Sequence, residues 1–229
     1  VESDRILGSA IVRGAAGGAK IEGMVRLAQT PAQGIINAAR ELRASVIVMG
    51  WSNRGAARLY LFRSLLDHVL AGTPGQTVIV GRWPRHLGAT KRIKVVVPPL
   101  VEQQTGFDES IQTLCTIARR SGAVLSFVSS ETAQARLRAA IASAPGKPEA
   151  TFSVLSYWDD LPRRLQPELR DDDLIALVSA RRSQAAWGSA LERLPSFLAH
   201  SLPAQNLMVL FPAVSGETYA PLPKPASQT

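Results

Sequence analysis

Gly50 and the residues after it, Trp51, Ser52, Asn53 and Arg54, form the stretch whose residue types and spacing could do chemistry, with Arg58, Arg63 and Ser64 a little further on. Glycine lets a ligand approach the backbone closely. Guanidinium, amide and hydroxyl donors beside the start of a helix are what a phosphate needs. The loop follows an apolar run, Val46–Met49, and leads into an amphipathic segment, Leu59–Leu70. A second apolar run, Thr77–Val80, then stops at Gly81. Such a strand–loop–helix–strand unit belongs in a parallel α/β sheet, where ligands sit outside the carboxyl ends of the strands. From these residues alone, an ordinary βα loop is the alternative reading.

Other constellations fail on spacing. His68, His86 and His200 have no carboxylate or thiol at ligand distance along the chain, and His68 and His200 occupy matching helix positions that suit packing or capping. Ser52, Ser64, Ser179 and Ser196 stand near strand ends without a nucleophile elbow. Asp171–Asp173 reads as a polar turn and cap before a strand rather than a Mg²⁺ site, so no metal is expected. Neither the dinucleotide fingerprint nor the P-loop pattern occurs. No enzymatic activity is expected.

At 229 residues, 46% hydrophobic and 19% charged, the chain has the length and balance of one large or two small globular domains. No apolar run reaches the roughly 20 residues that span a bilayer. The start carries no signal-peptide pattern. The single cysteine, Cys115, lies on a helical apolar face and reads as a buried structural thiol. The net charge of +8 is concentrated before Arg92, which favours an anionic ligand, an anionic membrane face or nucleic acid, with a solvated arginine-rich surface as the alternative. Nucleic acid is not expected, because the arginines are not interleaved with aromatic stacking platforms.

The elements that must position the loop follow from periodicity. Residues 3–17 read as a helix capped by Ser3, Ile21–Leu27 as an alternating strand, and Thr30–Pro31 as the cap and first position of a helix. Gly81–Thr90 lacks periodicity. Beyond it come a fully apolar strand in KRIKVVVPPL, a helix over Phe107–Ser121, a strand at Ala123–Val128 and a helix over Glu131–Ala144. Thr151–Tyr157 alternates as a strand, Asp159–Leu169 is a short helix, Leu174–Ser179 a strand, Ala190–Leu202 a helix and Leu207–Phe211 a strand. RSLLDHVL (63–70) echoes PSFLAHSL (195–202), and VIVMG (46–50) echoes IALVS (175–179). The expectation is therefore a tandem α/β repeat: residues 1–82, a linker at 83–91, a second unit at 92–213 and a proline-rich tail at 214–229. The first copy lacks its opening strand, helix and second strand.

At Gly50 the sequence resembles the universal stress protein family, whose nucleotide loop has the pattern G-x2-G-x9-G-[ST]. Here Gly50 and Ser64 keep their places, while Asn53 and Arg63 replace glycines. In the second repeat Ser179, Arg182 and Glu192 fall at the glycine places, and that copy is degenerate. The resemblance implies two Rossmann-like units with five-stranded parallel sheets ordered 3-2-1-4-5. It also implies nucleotide-binding residues Gly50, Trp51, Ser52, Asn53, Arg54, Arg63 and Ser64.

Residues 20–130, through AARELRASVIVMGW and TKRIKVVVPPLVEQQTGFDESI, are further similar to the cytosolic C-terminal region of bacterial and cyanobacterial cation/proton antiporters. That similarity implies a regulatory domain of a sodium/proton antiporter that binds AMP, ADP or ATP and dimerises. It would sit at the cytoplasmic face of the cell membrane, beside its own transmembrane domain. A free-standing universal stress protein is the alternative.

Overall fold

The computed structural model describes residues 7–8, 10–12, 14, 20–51, 56–146, 148–156, 158 and 161–214. The first half supplies α1 (Pro31–Glu41), β1 (Val46–Gly50), α2 (Ala56–Gly72) and β2 (Thr77–Arg82). Thr30 caps α1 through its Oγ1, which accepts from the Gln33 amide at 3.2 Å, and Pro31 stands in the first turn. The second half supplies β3 (Arg92–Val97), α3 (Phe107–Ser121), β4 (Val124–Ser129), α4 (Gln134–Ala142) and β5 (Ala150–Val154). It continues with α5 (Leu161–Leu165), β6 (Asp173–Val178), α6 (Ser189–Ser201) and β7 (Asn206–Phe211). α3 carries Asp108 and Glu109 in its first turn and Arg119 and Arg120 in its last, the charge order that its dipole favours.

All seven strands join one sheet in the order β1-β2-β7-β6-β3-β4-β5. Every pairing is parallel except β2 with β7, which run antiparallel from Val78 opposite Phe211 to Arg82 opposite Leu207. Two separate units, each with its own five-stranded 3-2-1-4-5 sheet, are therefore not what forms. Among the described residues the first half contributes two strands, and the antiparallel junction fuses it to the second. Side chains from both halves then bury one another: Val78, Val80, Val209 and Phe211 share a single apolar cluster. That cluster lies on one face of the sheet with Ile47, Met49, Ile175 and Leu177, under α1, α5, α6 and the last turns of α2. The opposite face packs Ile93, Val95, Val97, Leu174 and Ala176 against α3 and α4.

Several expected elements are corrected. Ile21–Leu27 forms no strand, and Ile21, Met24, Val25 and Leu27 face solvent, because no neighbouring strand offers a ladder. β2 runs on through Gly81 to Arg82. Its glycine makes room for a ring: a Cβ there would stand 1.6 Å from the Trp83 indole. β3 is not wholly apolar, since Lys94 is 2% exposed and ion-pairs with Glu168. Of the expected helix at Asp159–Leu169, Asp159 and Asp160 lie outside the described residues, and the rest forms α5 and a 3-10 turn at Gln166–Glu168, as Pro162 and Pro167 suggest. α4 starts later than expected, at Gln134. Leu7, Gly8, Ala10, Ile11, Val12 and Gly14 are helical, while Ser3 and the tail from residue 215 lie outside the described residues. Cys115 is buried as expected, and burial pushes its thiol pKa up.

Candidate functional site

Gly50 closes β1 at its carboxyl end, and α2 begins at Ala56. Parallel pairing with β2 carries through Gly50 opposite Gly81, and the Trp51 amide extends it by donating to the Gly81 carbonyl at 2.7 Å. Gly50 is exposed, and among the described residues no atom lies within 4 Å of where a Cβ would stand. Among the described residues nothing demands glycine there, and none of them crowds a group approaching the strand end. Ser52, Asn53 and Arg54, which complete the predicted loop, lie outside the described residues.

Among the described residues, no contact of Arg63 or Ser64 directs either to that strand end. The Arg63 guanidinium donates to Glu192 Oε1 at 2.8 Å, across the boundary between the halves. The Ser64 carbonyl accepts from Nδ1 of His68, at 2.6 Å. Glu192 also accepts from Arg182 at 3.2 Å, and Arg182 reaches Asp67 at 3.2 Å. Arg63, Arg182 and Glu192 each stand where the resemblance expects a glycine, so residues that depart from the pattern in the two halves are bonded to each other. Together with Trp51 and Trp187 they line a cleft of about 90 Å³ between α2 and α6, floored by Val80, Val209 and Phe211.

The second half holds the point where strand order reverses, between β6 and β3, which in open α/β sheets is where ligands bind. Its own loop occupies that place. Gln104, buried in the loop after β3, donates from its amide to the Ser179 carbonyl at 3.2 Å and to the Val101 carbonyl at 3.3 Å. Gly106 holds the loop down, because a Cβ there would meet the Ala213 carbonyl oxygen at 2.4 Å. The polar end of the crevice is thus filled. An apolar cavity of about 460 Å³ remains beside it, lined by Pro98, Pro99, Trp158, Gly188, Arg193 and Phe197.

Much of the basic charge of the chain is spent on structure. Arg181, almost fully buried, donates to the carbonyls of Leu70, Gln76 and Pro212 at 2.5, 2.5 and 2.7 Å. Burial pushes its pKa down to about 10, so it stays charged at neutral pH. Arg82 donates to the carbonyls of Leu202, Pro203 and Gln205 at 2.9, 2.8 and 3.1 Å. Arg92 pairs with buried Asp173, whose carboxylate also accepts from the Arg170 amide at 2.8 Å; this is the turn-and-cap role expected of the Asp171–Asp173 run. Among the described residues no group of three His, Cys, Asp or Glu side chains could hold a metal ion.

The sequence reading missed the roles of Arg82, Arg181 and Gln104. One signal was present: α2 has no basic residue in its last turn, so its terminal carbonyls required a cation from elsewhere.

Residues 2–81 match the model of the universal stress protein family. A universal stress protein domain is thus present over residues 2–81. That domain supports a stress-response or nucleotide-binding role. In fold, the chain is similar to the crystal structure of a universal stress protein from Archaeoglobus fulgidus DSM 4304, with 19% identity, TM-score 0.56, and coverage of 93% of this chain and 77% of that one. It is also similar to the functionally unknown protein PA1789 from Pseudomonas aeruginosa PAO1, with 16% identity, TM-score 0.55, and coverage of 92% and 78%. No curated protein matches the chain.

Proposed function

We propose that this chain is a non-catalytic regulatory module that binds an adenine nucleotide (AMP, ADP or ATP) on the loop after β1. The carrying observation is the position of Gly50, exposed and not crowded by any described residue at the carboxyl end of a parallel strand, with α2 starting at Ala56. The early amides of α2 and the polar residues Ser52, Asn53 and Arg54 would take the phosphates. Arg63 and Ser64 contribute less than the family pattern implies, since Arg63 is paired with Glu192. The second half would bind no nucleotide in the same manner, because Gln104 occupies its crevice.

The sequence similarity over residues 20–130 favours service to a sodium/proton antiporter, with the module on the cytoplasmic face as a homodimer and its basic first half toward anionic lipid. Binding would shift the transporter between conformations by its differential affinity for them. A free-standing stress protein remains compatible with the same domain, and transmembrane segments encoded in the same gene would separate the two.

The test is thermal stabilisation by millimolar AMP, ADP or ATP without Mg²⁺. The wild type gains several degrees with one nucleotide bound per chain, Gly50→Val loses the gain and Arg63→Ala keeps it. No shift with any of the three nucleotides overturns the binding reading.

A further inference from the structure

Strand β3 runs into two prolines, and their chemistry sets the character of the space beside them. Neither Pro98 nor Pro99 has an amide hydrogen to offer. The Pro98 carbonyl is already taken by the Val101 amide at 3.3 Å, and the Leu100 carbonyl accepts from the Gln103 amide at 3.0 Å. Leu100 holds this turn at φ 69°, in the left-handed region where such a turn usually places glycine. A bulky residue kept in that conformation marks a turn whose shape is imposed by its surroundings. The carboxyl end of β3 therefore meets the cavity of about 460 Å³ with rings instead of donors.

Helix α6 supplies another wall. Ala190, Arg193, Leu194 and Phe197 recur at helical spacing and all line the cavity, while Leu198 and Ala199 of the same helix enter the core. Ala190 is small, and a Cβ on Gly188 would meet no described atom within 4 Å, so this wall stands back. Phe197 is 48% exposed, a large ring that borders the space without being covered by the fold. Trp158, partly buried, adds a further ring. Among the described residues of the lining, Arg193 is the one charged side chain. Its neighbour Glu192 is engaged by Arg63 and Arg182, and no described carboxylate or carbonyl pairs with Arg193.

We infer that this cavity binds a small apolar molecule with a single anionic group, such as an aromatic or aliphatic monocarboxylate. Trp158, Phe197 and the two prolines receive its body. Arg193 takes its carboxylate through a charge-assisted hydrogen bond. An apolar cavity of this volume with one orienting polar group has the size and composition of a small-molecule site. A triphosphate suits it poorly, because several anionic groups would meet one cation and no amide at Pro98 or Pro99. No residue lining the cavity belongs to the loop after β1 or to α2, so this site stands apart from nucleotide binding there.

The test uses two matched fluorescent probes on the full chain. One is 1-anilinonaphthalene-8-sulfonate, an aromatic monoanion, and the other is N-phenyl-1-naphthylamine, the same rings without the sulfonate. The wild type binds one molecule of either, the anion about tenfold more tightly, as a single hydrogen bond to a charged group provides. Arg193→Gln, at an exposed position, abolishes that preference and leaves the neutral probe unchanged. Ala190→Trp, also at an exposed position, fills the space and weakens both probes at least about tenfold, with an unchanged unfolding midpoint. Decanoate displaces the anionic probe, and millimolar ATP does not. Absence of binding, equal affinity of the wild type for the two probes, binding that Ala190→Trp leaves intact, or displacement by ATP overturns the inference. So does a dimer that the probe dissociates, because the occupant is then a second copy.

Discussion

The first and second halves close their last α-β connections in the same manner with arginines drawn from opposite places. Where α2 ends and β2 begins, Arg181 from the second half takes the carbonyls of Leu70 and Gln76. Where α6 ends and β7 begins, Arg82 from the first half takes those of Leu202 and Gln205. A helix end leaves carbonyls without intrahelical partners, and a guanidinium offers several donors in one plane. Each half therefore satisfies the other, which ties the halves together beyond their shared β2–β7 ladder. The difference lies in burial: Arg181 is 4% exposed and meets carbonyls only, whereas Arg82 is partly open to water. Of the positive charge that the sequence concentrates before Arg92, Arg82 at least serves as an internal clasp rather than as a ligand attractor.

The sharpest way to break that reciprocity is to remove the buried clasp. Arg181→Met strands three carbonyls and lowers unfolding stability by about 3 kcal/mol, whereas Arg82→Met, whose carbonyls water can reach, costs about 1 kcal/mol. Equal losses in urea denaturation would show that the two clasps are interchangeable. Lys94→Met tests a different contrast, a buried lysine whose partner Glu168 is largely exposed. Because the carboxylate left behind is exposed and stays hydrated, no buried charge is stranded, so the unfolding free energy should hold or rise by about 1 kcal/mol. The smallest effect belongs to the exposed bridge between the halves. A double-mutant cycle on Arg63 and Glu192 should give a coupling of about 0.5 kcal/mol that fades in salt. A larger, salt-insensitive coupling would make that pair a structural clasp as well.

Helices and central strands were legible because their signals are local. Thr30–Pro31 announces α1, the periodicity of Phe107–Ser121 gives α3 its bounds, and the apolar runs give β1, β3, β6 and β7. Ile21–Leu27 misled because alternation specifies a strand only if a neighbour exists to pair with it, and β1 stands at an open edge. The loop at Gly50 was legible as a strand end before a helix. The fate of Arg63 was not, because Glu192 lies far along the chain and meets it only after β2 and β7 pair.

By itself the sequence determined most of the helices and central strands and the strand end at Gly50, since each rests on periodicity and spacing within short segments. Only the tertiary structure decided that the repeats share one seven-stranded sheet, that Gln104 fills the crevice of the second, and that Arg63, Arg82 and Arg181 bridge the halves. Those outcomes depend on which strand edges meet, and pairing between distant segments brings charges, carbonyls and apolar faces together in ways that no local pattern encodes.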